Sequence, residues 1–103
     1  MITYSVTITI KKEIEDHWLT WMKEIHIRDV INTGYFYDSL IQKLVIPDYG
    51  KDESTFVINY ITDSIDKYYA YLENEALRLQ NEHVQKFAGK FKATRAIFHT
   101  VPK

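Results

Sequence analysis

Cysteine is absent from this chain, and its absence excludes disulfides, thiolate nucleophiles and Cys-ligated zinc or iron–sulfur centres. A reducing compartment fits that lack. Only three Gly and two Pro punctuate 103 residues, so no linker or low-complexity stretch divides the chain, and one domain spanning 1–103 is expected. A surplus of one charge is missing too. Thirteen Lys and Arg stand against fourteen Asp and Glu, a net charge of −1, with no basic stripe to neutralise phosphates. Nucleic acid is therefore not an expected partner. No apolar run approaches the roughly 20 residues of a membrane span. The opening MITYSVTITIKKEIED lacks the basic and apolar regions of a secretory signal, so a cytoplasmic location is expected. No G-x-S-x-G elbow or Gly-rich phosphate loop occurs, which leaves nucleophilic catalysis and nucleotide binding without support.

What the chain has in quantity is aromatic surface: 15% of its residues, eight of them Tyr. Tyr suits half-wet sites such as pockets and subunit contacts, because the ring buries area while the hydroxyl keeps a polar partner. It suits strands and half-buried helix faces equally well.

Ile2, Tyr4, Val6, Ile8 and Ile10 alternate with Thr3, Ser5, Thr7 and Thr9, the period-two pattern of a strand with one apolar and one hydroxyl-lined face. From about Glu13 the period becomes helical, placing Ile14, Trp18, Trp21, Met22 and Ile25 on one side. Ile27, Val30 and Ile31 fall near the opposite side of a straight helix, which predicts a break at His26–Arg28 and a stop at Gly34. Ser39 to Ile46 reads as a strand buried on both faces, ended by the turn cluster Pro47-Asp48-Tyr49-Gly50 and followed by a strand from Ser54 to Ile61. Asp63 or Ser64 is placed to cap a second helix with Ile65, Tyr68, Tyr69, Leu72, Ala76 and Leu79 on one side. A short further turn, His83 to Ala88, leads to Gly89, and Phe91 to Val101 forms the last strand.

The order β-α-β-β-α-β predicts an α+β, ferredoxin-like domain: a four-stranded antiparallel sheet with both helices on one face. Its other face then needs cover, with Val45, Val57 and Phe98 as candidate exposed apolar residues. A homodimer packed sheet to sheet, a dimeric α+β barrel, supplies that cover without extra chain.

Three segments carry a family resemblance: MITYSVTITI, HWLTWMKEIHIRDVINTGYF, and YITDSIDKYYAYLENEALRLQNEHVQKFAGKFKATRAIF. Together they resemble the bacterial family known as domain of unknown function 4286, and W-x-x-W-M-x-x-x-H-I-x-D-V-x-x-T-G is the most specific part. Arg28 stands where that family often has Pro. The resemblance implies the dimeric α+β barrel fold and brings no established activity with it.

Among candidate site residues, Trp18 and Trp21 serve either as core anchors or as walls for a flat apolar ligand. His26, at the expected break, either bonds freed carbonyls or acts as general base. His26-x-x-Asp29 has helical spacing for a metal but no third ligand, and His17, His83 and His99 show no ligand spacing with it, so no metal or cofactor is expected. Arg28 and Asp29 read as a solvated pair. Arg95 interrupts an apolar strand, which predicts a salt bridge to Glu73 or Glu75 or across the dimer, or an anionic ligand; Tyr4 and Tyr60 either pack in the core, the favoured reading, or present hydroxyls to the same pocket. Two functional readings follow. One is a non-enzymatic dimer that binds an apolar or anionic small molecule between helices and sheet. The other is a cofactor-independent monooxygenase or isomerase acting on a flat aromatic substrate with His26 as base.

Overall fold

The computed structural model describes residues 1–48, 50 and 52–103. Strand β1, Ile2–Lys11, lies at the centre of a four-stranded antiparallel sheet of order β2-β3-β1-β4. β2 is Asp38–Lys43, β3 is Glu53–Thr62 and β4 is Phe91–His99. Each β-α-β crossover joins two strands with one strand interposed, which is the expected α+β, ferredoxin-like arrangement. Register follows the alternation of β1. Tyr4 faces Tyr60 and Ile97, Val6 faces Ile58 and Arg95, and Ile8 faces Phe56 and Ala93, all on the side the helices cover. Thr3, Ser5, Thr7 and Thr9 point to the open side, where Thr9 and Thr55 hydroxyls meet at 2.9 Å.

After a 3₁₀ turn at Lys12–Ile14, helix α1 (Glu15–Trp21) runs through a π-helical turn (Met22–His26) into α2 (Ile27–Asn32). The expected break at His26–Arg28 does not occur: His26, at φ −66 and ψ −51, is fully helical. The π turn holds one residue more than an α turn, and that extra residue rotates the apolar stripe by roughly 100°. Trp18 and Trp21 are buried before it, Met22 at its start and Val30 after it, while Ile25, expected in the core, is 47% exposed. Gly34, at φ 86, ends the segment in the left-handed conformation that suits glycine.

The second helical segment repeats the device. α3 (Ile65–Tyr71), a π turn (Leu72–Ala76) and α4 (Leu77–Phe87) are continuous, and Ser64 Oγ accepts the Asp66 backbone N–H at 3.1 Å as the N-cap. The buried face is Tyr71, Ala76, Leu79, His83 and Phe87. Tyr69 and Leu72, expected on that face, are exposed because the extra residue re-phases the helix, and His83 belongs to α4 rather than to a separate turn.

β2 departs from the expectation of a strand buried on both sides. It is a six-residue edge strand with one neighbour, and Leu44, Val45 and Ile46 lie beyond its end, exposed. Of the expected turn Pro47 to Gly50, Tyr49 lies outside the described residues. Phe98, paired with Thr3, is exposed on the open side, and Val57 is half-buried there. Among the described residues no helix is long and apolar enough to cross a membrane.

Candidate functional site: a crevice between helices and sheet

The covered face of the sheet does not close completely on the helices. A cavity of about 30 Å³, room for one water, lies among Tyr4 and Val6 of β1, Arg95 of β4, His26, Tyr71 and His83. The local reason for each residue is phase. Tyr4 and Arg95 face inward by strand alternation, and the π turn at 22–26 swings His26 towards the sheet. His83 stands one helical turn from both Leu79 and Phe87 on the buried side of α4.

The two imidazoles differ in how they are satisfied. Trp18 Nε1 donates to His83 Nε2 at 2.9 Å, so that nitrogen is an acceptor and the ring proton of neutral His83 belongs on Nδ1. His83 also meets Phe91 edge-on, with centroids 4.2 Å apart. The ring of His26 stacks on Trp21 at 5.3 Å and sits 5.9 Å from that of His83, yet its Nδ1 is buried without a hydrogen-bond partner. Burial lowers the pKa of His26 to about 4; Asp29 pulls it the other way and Arg95 adds to the lowering. His83 is also lowered to about 4, first by burial and then by the nearby charges of His26 and Arg95. Both rings are therefore neutral at pH 7.

Around them lies a tyrosine cluster. Tyr4 packs 5.7 Å from Tyr60 and 5.9 Å from Tyr71. Burial raises the phenols of Tyr60 and Tyr71 far above their ordinary range, which keeps both protonated. Arg95 Nε donates to Tyr4 Oη at 3.2 Å.

His26, Tyr4, Tyr60 and Arg95 all line this cavity. Trp18 and Trp21 do not line the cavity. Trp18 packs on Phe56 at 4.9 Å and, with Trp21, backs the two histidines from within the core. The expected salt bridge from Arg95 to Glu73 or Glu75 is not made: Glu75 pairs with Arg78 at 2.6 Å, and none of the ion pairs among the described residues includes Arg95 or Glu73. The Nδ1 of His26 bonds no carbonyl among the described residues. Among the described residues no three His, Asp or Glu gather as a metal site. His83 and Tyr71 line the cavity without being among the site residues expected from sequence. The Leu79-His83-Phe87 spacing carried the signal for His83, and Tyr71 was hidden by the second π turn.

A larger open groove, about 500 Å³, lies at the far end of the sheet between Leu44–Pro47 and the floor of Thr9, Thr55 and Lys92. Its polar groups are surface lysines, carboxylates and hydroxyls, with no buried unpaired atom among them.

Residues 1–101 match the family described as domain of unknown function, DUF4286. The chain belongs to that family. The sequence has no match among curated proteins. Solved structures resemble this DUF4286 domain in fold. At3g17210 of Arabidopsis thaliana superposes with a TM-score of 0.73 at 11% identity, covering 100% of this chain and 98% of that one. A dimeric ferredoxin-like protein from an uncultured marine organism gives 0.69 at 16% identity, covering 100% and 97%. An antibiotic biosynthesis monooxygenase gives 0.60 at 16%, covering 99% and 100%. At such identities the likeness is one of fold.

Proposed function

We propose that this DUF4286 domain is one half of a homodimer packed through its open sheet faces, and that each half reversibly binds a small molecule in the crevice without performing chemistry on it. The observation that carries the binding role is the buried, unpaired Nδ1 of His26. Leaving such an atom unsatisfied costs about 1–3 kcal/mol, a cost that a ligand polar group would offset. The dimer is supported by exposed Leu40 and Phe98 on a sheet face that no helix covers, and by the dimeric state of a ferredoxin-like structural neighbour. The lack of Cys suits a cytoplasmic setting.

Native mass spectrometry of freshly purified protein tests both parts. A particle of twice the 12.3 kDa chain mass that carries a bound small molecule supports the reading. A bare monomer at micromolar concentration, with no ligand retained or accepted, overturns it.

The enzymatic alternative, a cofactor-independent monooxygenase or isomerase with His26 as base, has the fold of an antibiotic biosynthesis monooxygenase in its favour. Geometry weighs against it. A flat aromatic substrate needs a site of about 300 Å³ or more, whereas the cavity holds about 30 Å³. A base whose pKa lies near 4 also takes up a proton weakly at neutral pH.

A further inference from the structure

The open face of the sheet has four corners, and they differ in chemistry. Strand order and register put Asp38 of β2 and Phe98 of β4 at one end of the face, in the row of Thr3 and Ile61. Lys92 of β4 stands at the other end, in the row of Thr9 and Thr55. Leu44 follows β2 there, its backbone N–H donating to the Thr55 carbonyl at 2.8 Å. Phe98 is exposed, and Leu44 leads into exposed Val45 and Ile46. Among the described residues neither Asp38 nor Lys92 belongs to an ion pair. One diagonal of the face is therefore apolar at both ends, and the other is acidic at one end and basic at the other. Near the middle, beside Ser5, the amide oxygen of Asn59 has no hydrogen-bond partner among the described residues.

A two-fold dimer that stacks two such faces has its axis between the sheets, and the corners decide its direction. An axis parallel to the strands lays Asp38 against Phe98 and Lys92 against Leu44. An axis straight across them lays Asp38 against Leu44 and Phe98 against Lys92. Along the charged diagonal, Asp38 and Lys92 each meet their own copy, and like charges repel. Along the apolar diagonal, Phe98 meets Phe98 and Leu44 meets Leu44, while each Asp38 faces the Lys92 of the other copy. Twist favours the same choice. A twisted sheet is a saddle that raises one diagonal pair of corners towards a given face. With right-handed crossovers in this strand order, the corners raised towards the open side are those of Phe98 and Leu44.

We infer that the homodimer axis runs along the Phe98–Leu44 diagonal, so that the two sheets cross at about 90°. The interface is sealed at its apolar corners and wet at its charged ones. Asn59 then comes over Thr7 of the partner subunit, whose hydroxyl supplies a donor for the unpaired amide oxygen. Four strands at ordinary spacing and rise offer roughly 600 Å² per copy, or about 1,200 Å² for two, enough for a stable interface. This deepens the proposed dimer and rests on it.

The chain has no Cys of its own, so single cysteines report the axis directly. Phe98→Cys, Leu44→Cys, Asp38→Cys and Lys92→Cys are made separately, all at exposed positions, and treated with a short bis-maleimide at micromolar concentration. The expected result is a covalent dimer from Phe98→Cys and from Leu44→Cys, each alone, and little from the other two. Asp38→Lys should weaken the dimer about fivefold or more, and adding Lys92→Asp to the same chain should restore it. Failure of that restoration overturns the facing of Asp38 and Lys92, and the axis with it. Cross-linking of Asp38→Cys and Lys92→Cys instead moves the axis to the charged diagonal. No cross-link from any of the four, in a wild-type chain that light scattering shows to be dimeric, puts the axis along or across the strands. Each of these results overturns the inference and leaves the dimer standing. A wild-type chain that is monomeric at micromolar concentration removes the dimer, and the inference falls with it.

Discussion

The two faces of one strand, β1, meet different environments. Towards the helices, Tyr4, Val6, Ile8 and Ile10 are packed among tryptophans, phenylalanines and other tyrosines. Away from them, Thr3, Ser5, Thr7 and Thr9 form a row of small hydroxyls beside β3 and β4, flanked by exposed Phe98 and Leu40. On the hydroxyl side a polar atom costs little, because water or a second copy of the sheet can meet it. On the aromatic side every polar group needs a specific partner. His83 has one, in Trp18. Among the described residues His26 Nδ1 and Thr62 Oγ1 lack one, while Arg95, exposed at the rim, bonds Tyr4. The contrast identifies which polar residues call for a functional explanation: those on the dry face whose bonding is incomplete.

The largest expected effect tests the dry face itself. Trp18 is 0% exposed, so Trp18→Ala should cost about 3–5 kcal/mol, read as a lowered denaturation midpoint. A loss below about 1 kcal/mol would mean the indole is not the packing centre of that face.

Acid comes next. In the fold each crevice imidazole protonates near pH 4, against about 6.5 in the unfolded chain. The unfolded chain thus binds more protons between those values, and the folded state loses ground there. The contribution is complete above about pH 6.5 and drains away as pH falls towards 4, with a ceiling of about 3 kcal/mol for either ring. Denaturant titrations at stepped pH check this, and a flat profile from pH 7 to 4 contradicts neutral burial. Replacing both rings by Leu should remove most of the slope.

The two rings should then part in sign. His83→Leu strands the Trp18 N–H and should cost about 1–3 kcal/mol. His26→Leu removes an atom that was already unpaired and should be neutral or stabilising while abolishing ligand binding. Equal losses for both would make His26 an ordinary core residue. The smallest effect belongs to the hydroxyl face. Thr94, paired with Thr7, is exposed, and Thr94→Ala should change stability by no more than about 0.5 kcal/mol in dilute solution. A larger loss that grows with protein concentration would locate the subunit contact at this row.

Sequence reasoning reached the strands more readily than the helices, and the π turns explain why. Alternation in β1 maps directly onto the two faces, since strand geometry adds no phase error over ten residues. In the first helical segment, Ile27, Val30 and Ile31 looked displaced from the stripe of Trp18 and Trp21, and a break was the simplest account. An extra residue in an unbroken helix gives the same displacement, because hydrophobic spacing reports phase and not continuity. The site shows the same division. Arg95 stands out in the sequence as a charge in an apolar strand, and His26 as the end of the apolar stripe, for which a break was expected and a π turn is found. His83 does not stand out, because its role depends on where two helices of distant sequence lean together over the sheet.

The central position of β1 also sets an order of events. Its neighbours are β3 and β4, so Lys11 must wait for Glu53 and Ile2 for His99 before the ladder is complete. The β2–β3 hairpin, by contrast, joins strands that are consecutive in sequence, Lys43 opposite Phe56, and can zip on its own. A ribosome-bound chain therefore carries β1 with both edges unpaired until β3 emerges, and with one edge still unpaired until β4 follows. Such non-local pairing slows folding and prolongs exposure of sticky edges. The segment most exposed to aggregation during synthesis is thus the one that ends up most protected in the finished domain.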